Sequence, residues 1–115
     1  MSEMSNRLRR DASQILKDAR WLISEVGWTQ GELVTRGSDG RAVGYCLAGA
    51  VVAAAPARPG EKGWNPARDE ALRMLKATID AITGGPVFSS VFGFNDVPGR
   101  TAVEVLDVLD RAIGG

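Results

Sequence analysis

Apolar residues recur along the first quarter of the chain at Leu8, Ala12, Ile15, Ala19, Leu22 and Val26, with spacings of 4, 3, 4, 3 and 4. That period places them on one face of an α-helix. Ser5 or Asn6 stands where a cap would sit. Gly27 is the expected stop, with Trp28 folding back on Ile23. Arg7, Arg9 and Arg10 fall in the first turn, where the helix dipole disfavours cations. Further on, Tyr45 to Ala55 read YCLAGAVVAAA, with no charge in the run. A helix that is apolar all round is buried, so this stretch predicts a central helix over about 45–55. Gly49 with Ala53, and Ala50 with Ala54, would let another backbone come close, and Pro56 ends the helix.

A third helix opens on Asn65 as cap and Pro66 at the first position. Its apolar row is Leu72, Leu75, Ile79 and Ile82, and Gly84-Gly85-Pro86 stops it. The last helix begins at a T-x-x-E capping box, Thr101 to Glu104. Leu106, Leu109 and Ile113 form its core row. Val103, Val105 and Val108 widen that row beyond what one packing face needs. Periodicity leaves 87–94, VFSSVFGF, ambiguous; a short helix is the expectation. Between the first two helices, Leu33–Arg36 and Arg41–Val43 flank Gly37-Ser38-Asp39-Gly40, a tight-turn signal for a β-hairpin near 32–44. The predicted fold is mainly α. It is a compact single domain over 1–115, with about four helices around the central apolar one and a small β-hairpin. Residues 1–6 are expected to be loosely held.

Composition narrows the chemistry. The chain has 115 residues, the size of one domain. Its 14 basic and 14 acidic residues cancel, so net charge gives no reason to expect nucleic acid or an anionic membrane. Histidine is missing, which removes His-based catalysis and Cys/His zinc sites. A single cysteine, Cys46, forms no intrachain disulfide. The longest apolar run is too short to span a bilayer, and the polar N-terminus lacks a signal-peptide core. A cytoplasmic location is expected, with no cofactor, no metal and no membrane partner.

Three landmarks together carry a resemblance. Trp28 closes the first helix, Cys46-Leu47-Ala48-Gly49-Ala50 gives C-L-x-G-A, and Asn95-Asp96-Val97-Pro98-Gly99-Arg100-Thr101 gives N-D-x-P-G-R-T ahead of the last helix. From about residue 12 to residue 113 the chain resembles a family of short actinobacterial and actinophage proteins classed as a domain of unknown function. The resemblance implies a small accessory protein and brings no catalytic residue with it.

Each candidate site has a functional and a structural reading. Cys46, at the start of the central helix, could be an activated thiolate. It lacks a histidine base and a second cysteine, and a small buried hydrophobe is the favoured reading. Asn95 and Asp96 could form a polar site with Arg100 as an anion clamp. Ahead of Pro98-Gly99 they could equally shape a turn through bonds to backbone amides. Trp21 lies off the apolar face of helix 1 and is a candidate contact residue. Trp28 and Trp64 are read as packing residues, Trp64 stapling the start of the third helix. Arg7, Arg9, Arg10, Lys17 and Arg20 make helix 1 basic, but Asp11, Asp18 and Glu25 dilute the field, and a solvated face is favoured.

No constellation for catalysis emerges. The leading expectation is a non-enzymatic protein-interaction module that binds a protein partner or a second copy through Trp21, Val105 and Val108. The alternatives are a nucleic-acid-binding regulator using helix 1, or a small enzyme centred on Asp96 and Arg100.

Overall fold

A computed structural model describes residues 3–55 and 65–114. The chain folds as α1 (Glu3–Glu25), β1 (Val34–Arg36), β2 (Ala42–Tyr45), α2 (Leu47–Ala54), α3 (Pro66–Thr83), α4 (Val91–Asn95) and α5 (Ala102–Gly114). It is mainly helical, with one two-stranded antiparallel hairpin. The predicted role of Trp64 and the loop around it lie outside the described residues.

α1 touches α2, α3 and α5. A helix with three neighbours needs a wide apolar face, so the buried row is Ala12, Ile15, Leu16, Ala19 and Ile23. Leu22 and Leu8 sit at its margins, and Val26 is exposed. The helix starts at Glu3, so Ser5 and Asn6 lie within it rather than capping it. It stops at Gly27, whose N–H bonds to the Leu22 carbonyl. Gly27 has φ of 142°, and a Cβ there would lie 2.5 Å from the Val43 carbonyl oxygen. Glycine is required by the backbone conformation and by the close approach of β2.

The chain then runs beside β2. Tyr45 N–H donates to Gly27 O and Thr29 N–H donates to Tyr45 O, at 2.9 and 3.1 Å. A lone two-stranded hairpin is marginal in water, and these bonds tie it to the end of α1. Its turn forms as the Gly-Ser-Asp-Gly stretch predicts: Gly37 N–H bonds to Arg41 O, and the Asp39 carboxylate accepts from Arg41 N–H.

α2 begins at Leu47, two residues later than expected, because Tyr45 is spent in β2 and Cys46 caps the helix. Leu47 to Val51 are buried, while Val52 and Ala53 at the far end are exposed. The helix is buried over its first half, where the hairpin and α1 cover it. The Leu33 carbonyl accepts Cys46 N–H at 3.1 Å and thereby lies directly on Gly49. A Cβ at Gly49 would fall 1.9 Å from that oxygen.

α3 is capped as its sequence predicts: Asn65 Oδ1 accepts from Ala67 N–H and Arg68 N–H, at 2.9 and 3.3 Å. Gly84, at φ 80°, closes it in the left-handed region. Its buried row is Ala67, Ala71, Leu75 and Ile79. That row is rotated from the predicted one, so Leu72 is half-buried and Ile82 exposed. The small side chains let α3 lie close to α1. The expected short helix after α3 begins only at Val91, behind a Ser90 cap. Phe94 then packs edge-to-face on Phe88, with ring centroids 5.7 Å apart.

α5 starts at the predicted capping box. Glu104 N–H donates to Thr101 Oγ1 and Thr101 N–H donates to Glu104 Oε1, at 3.3 and 3.0 Å. The wide apolar stripe of this helix is absorbed inside the molecule. α5 packs against both α1 and α3, which buries Val105, Val108, Leu109 and Ala112. Val105 and Val108 are therefore core residues, and the expectation that they form a partner surface is corrected. Only Val103, 75% exposed, stands outside.

Two substitutions test this packing. Gly49→Ala drives a methyl group into the Leu33 backbone and is expected to cost about 1–3 kcal/mol or more. Urea denaturation checks it, and an unchanged midpoint would place Gly49 away from the hairpin. Thr101→Ala removes one half of the capping box and should cost about 0.5–2 kcal/mol in the same assay.

Candidate functional site

The N-D-x-P-G-R-T segment turns inward at Asn95, the last residue of α4. Asn95 is fully buried. Its Oδ1 accepts from Trp28 Nε1–H at 2.7 Å and from Leu47 N–H at 3.0 Å. Its Nδ2 donates to Thr29 O at 3.1 Å and to Asp96 Oδ1 at 2.9 Å. Those four bonds use all the capacity of a side-chain amide. The Asn95 backbone carbonyl accepts from Gln30 Nε2 at 3.0 Å, and the same amide nitrogen reaches Val97 O at 2.9 Å. Asp96 Oδ1 also accepts from Gly31 N–H at 3.1 Å. Trp28, Thr29, the start of α2 and the end of α4 thus meet on one side chain, and Gln30 and Gly31 add bonds to the backbone and carboxylate beside it.

This arrangement closes the positive end of α2. The first N–H groups of a helix have no partner inside it. Here Leu47 N–H is taken by Asn95 and Gly49 N–H by Cys46 Sγ, at 3.2 Å. Cys46 is buried. Burial pushes its thiol pKa up and the nearby Asp96 charge adds to that, against the opposing N–H groups of Gly49 and Ala48. The geometry therefore holds Cys46 as a neutral capping thiol rather than an activated nucleophile.

Asp96 and Arg100 do not converge. Asp96 faces Asn95 and Gly31. Arg100 turns the other way: its Nε donates to Phe94 O at 3.0 Å, its Nη1 to Glu104 Oε2 at 2.8 Å, and its guanidinium lies 3.8 Å over the Phe94 ring. The Arg100 hydrogen bond, helped by Thr101, holds the Glu104 carboxyl below its ordinary range. Among the described residues no hydrogen bond or ion pair joins Asp96 to Arg100. The expected anion clamp is corrected: Arg100 secures α4 to the first turn of α5.

The remaining candidates lie on α1. Trp21 is 60% exposed. Its neighbour Arg20 makes a two-bond fork to Asp110 of α5, and this contact holds the Arg20 pKa above its ordinary value. Arg20 is thereby committed to the fold, and basic helix 1 has fewer free cations than its sequence offers. Arg9 and Arg10 line a groove of about 690 Å³ formed by α1, α3 and α5. Among the described residues no group of three or more acidic, Cys or His side chains is placed to hold a metal. No described helix is long and apolar enough to cross a membrane.

Sequence reasoning missed Gln30, Gly31 and Thr29, which supply three of the contacts around Asn95 and Asp96. Nothing local marks them, because their partners lie 65 to 67 residues away.

Replacing the buried amide should be costly. Asn95→Ala strands Trp28 Nε1–H and Leu47 N–H, each worth about 1–3 kcal/mol when buried without a partner. Asn95→Asp keeps the acceptor but places a carboxyl in the interior beside Asp96. Burial and the neighbouring charge raise its pKa, so stability is present at acid pH and is lost as pH rises through that raised value. A denaturation midpoint that stays flat from about pH 4 to about pH 8 would show that position 95 is hydrated. For Cys46, a thiol reagent should label the denatured chain and leave the native one untouched at neutral pH. Rapid native labelling would restore the nucleophile reading.

Comparison with curated proteins and with solved structures finds no match. A family model described as "Family of unknown function (DUF6197)" matches residues 8–114. That span includes every element that positions Asn95. The chain belongs to this family of unknown function.

Proposed function

We propose that the chain is a non-enzymatic protein-interaction module, an accessory or host-directed factor of a phage or an actinobacterium acting in the cytoplasm, with Trp21 as its principal contact residue. The observation that carries this reading is the exposure of Trp21, 60%, on a helix fixed from within. A large aromatic left in water on a rigid element is the side-chain type that dominates binding energy at protein interfaces. Leu16, Ala19 and Ile23, buried on the opposite face, hold that part of α1 in the core, and the Arg20–Asp110 fork adds a contact to α5, so little ordering cost remains on binding. The polar side chains offered for chemistry, Asn95, Asp96, Arg100 and Cys46, are engaged in the fold's own bonds, which favours a binding role over an enzymatic one. An excess of arginine over lysine, together with abundant Ala, Gly and Val, is the composition a GC-rich genome writes, and supports the proposed source. A second copy docking through α5 is not retained, since Val105 and Val108 are buried.

Affinity capture from the source cells tests this, with wild type and Trp21→Ala compared by mass spectrometry. The expected result is a protein captured by the wild type and reduced at least about tenfold by a substitution at such a hot spot, with the thermal midpoint unchanged. Equal capture by both chains would overturn the role of Trp21.

A further inference from the structure

The groove between α1, α3 and α5 has a chemical character that neither the sequence nor the Trp21 reading supplies. Four arginines line it, Arg9, Arg10, Arg73 and Arg111, against one carboxylate, Glu70. The chain as a whole is neutral, so this face concentrates positive charge that the average conceals. Arg73 pairs with Glu70 and Arg111 with Asp107, both within one turn of their own helix. The Arg111–Asp107 pair is exposed, and a pair of that kind contributes little, so Arg111 can turn to a better partner; Arg73 stays with Glu70, which is buried, and offers only its remaining guanidinium N–H groups. Arg9 and Arg10 make no such pair among the described residues. The floor between these cations is low and mostly apolar, Met74, Ala77, Ala81, Ala112 and Ile113, with the hydroxyls of Ser13 and Thr78 among them. Two of the alanines, Ala77 and Ala81, are exposed, so they present shallow surface to an incoming chain.

We propose that this groove binds an acidic, amphipathic peptide segment of a protein partner, its carboxylates on the arginine rim and its apolar row on the alanine floor. The inference deepens the protein-interaction reading by giving the partner's chemistry at a surface separate from Trp21. Guanidinium groups bind carboxylates in a planar two-bond fork, and a helix laid in a groove places apolar anchors one turn apart. The floor follows α3 from Glu70 to Ala81, about 16 Å at the rise of an α-helix, which accommodates about three turns of a bound helix. Nucleic acid fits less well. Single strands bind by stacking on aromatic rings, and no aromatic side chain lines this groove. A phosphate backbone also has no use for an apolar floor.

The probe is a fluorescein-labelled helical peptide of four turns, with leucine on one face and glutamate on the other. Fluorescence anisotropy is measured with the full chain. The controls are the same peptide with lysine for glutamate, a glutamate peptide lacking the leucine face, and a DNA duplex. The expected result is saturable binding of the acidic amphipathic peptide alone. Arg9→Glu with Arg10→Glu should weaken it at least about tenfold, as loss of charge-assisted contacts would. Arg36→Glu with Arg41→Glu, a charge-matched change on the hairpin, should leave it within about twofold, because screened distant charges count little. Circular dichroism confirms that both variants fold. Should the Arg9 and Arg10 variant fail to fold, Ala81→Glu, which puts a charge on the floor, replaces it with the same expectation. Trp21→Ala should bind the peptide as the wild type does, so failure here and failure of the Trp21 reading are seen separately. Equal weakening by the hairpin variant, equal binding of the peptide without leucine, tighter binding of the duplex, or no binding at all would each overturn the proposal.

Discussion

A single buried amide settles how three distant parts of this protein meet. Asn95 gives both lone pairs of its oxygen and both of its N–H bonds to protein partners. An amide in an apolar interior is expensive unless all of that capacity is met. Once it is met, few alternative arrangements satisfy it equally well, and the position of each partner is specified. The hairpin connection, the first turn of α2 and the end of α4 are located relative to one another through this residue. The hydrophobic core supplies most of the stabilisation, but apolar contacts are non-directional, and the amide supplies direction.

Around that point the fold closes its own helix ends with side chains. Cys46 and Asn95 finish α2, Asn65 finishes α3, Ser90 finishes α4, and Thr101 with Glu104 finishes α5. Arg100 then covers Phe94 and ties that last capping box to α4. The N-D-x-P-G-R-T stretch is therefore a structural joint whose polar side chains are engaged in the fold's own bonds. Conspicuous polar residues drew attention as candidate chemistry because the fold demands polar residues there. The surface left for recognition is elsewhere, on α1 and on the groove it shares with α3 and α5.

What the sequence made legible was local. Asn65-Pro66, Gly84-Gly85, the Thr101–Glu104 box and the Gly-Ser-Asp-Gly turn each act within a few residues, and each forms where its spacing places it. Gly49 was legible as a point of close approach, though not the Leu33 carbonyl that makes the approach. The misreadings share one cause. The width of an apolar stripe tells how many neighbours a helix has, not whether those neighbours belong to the same chain. On α5 the surplus valines meet α1 and α3, so a pattern that could signal a partner signalled a crowded interior. On α3 the buried row shifted towards alanines, because small residues permit close helix packing that a count of large apolar side chains undervalues. The Asn95 contacts were illegible for a different reason: amide partners 48 to 67 residues apart leave no periodic trace.

The order of Asn95 and its partners along the chain also bears on synthesis, since Asn95 follows Leu47 and Trp28 by 48 and 67 residues. A polypeptide emerges from the ribosome N-terminus first. Until residue 95 has emerged, Leu47 N–H and the Trp28 indole have no Asn95 to receive them. The hairpin can close, α1 can coil and Cys46 can take Gly49 N–H, but Leu47 N–H lacks its acceptor until Asn95, 48 residues further on, has emerged. The core is thus completed only once α4 and α5 have emerged, with Phe94, Val105, Val108 and Leu109. A nascent chain stalled before that point would carry a half-formed interior, with its apolar second helix open to chaperones and proteases.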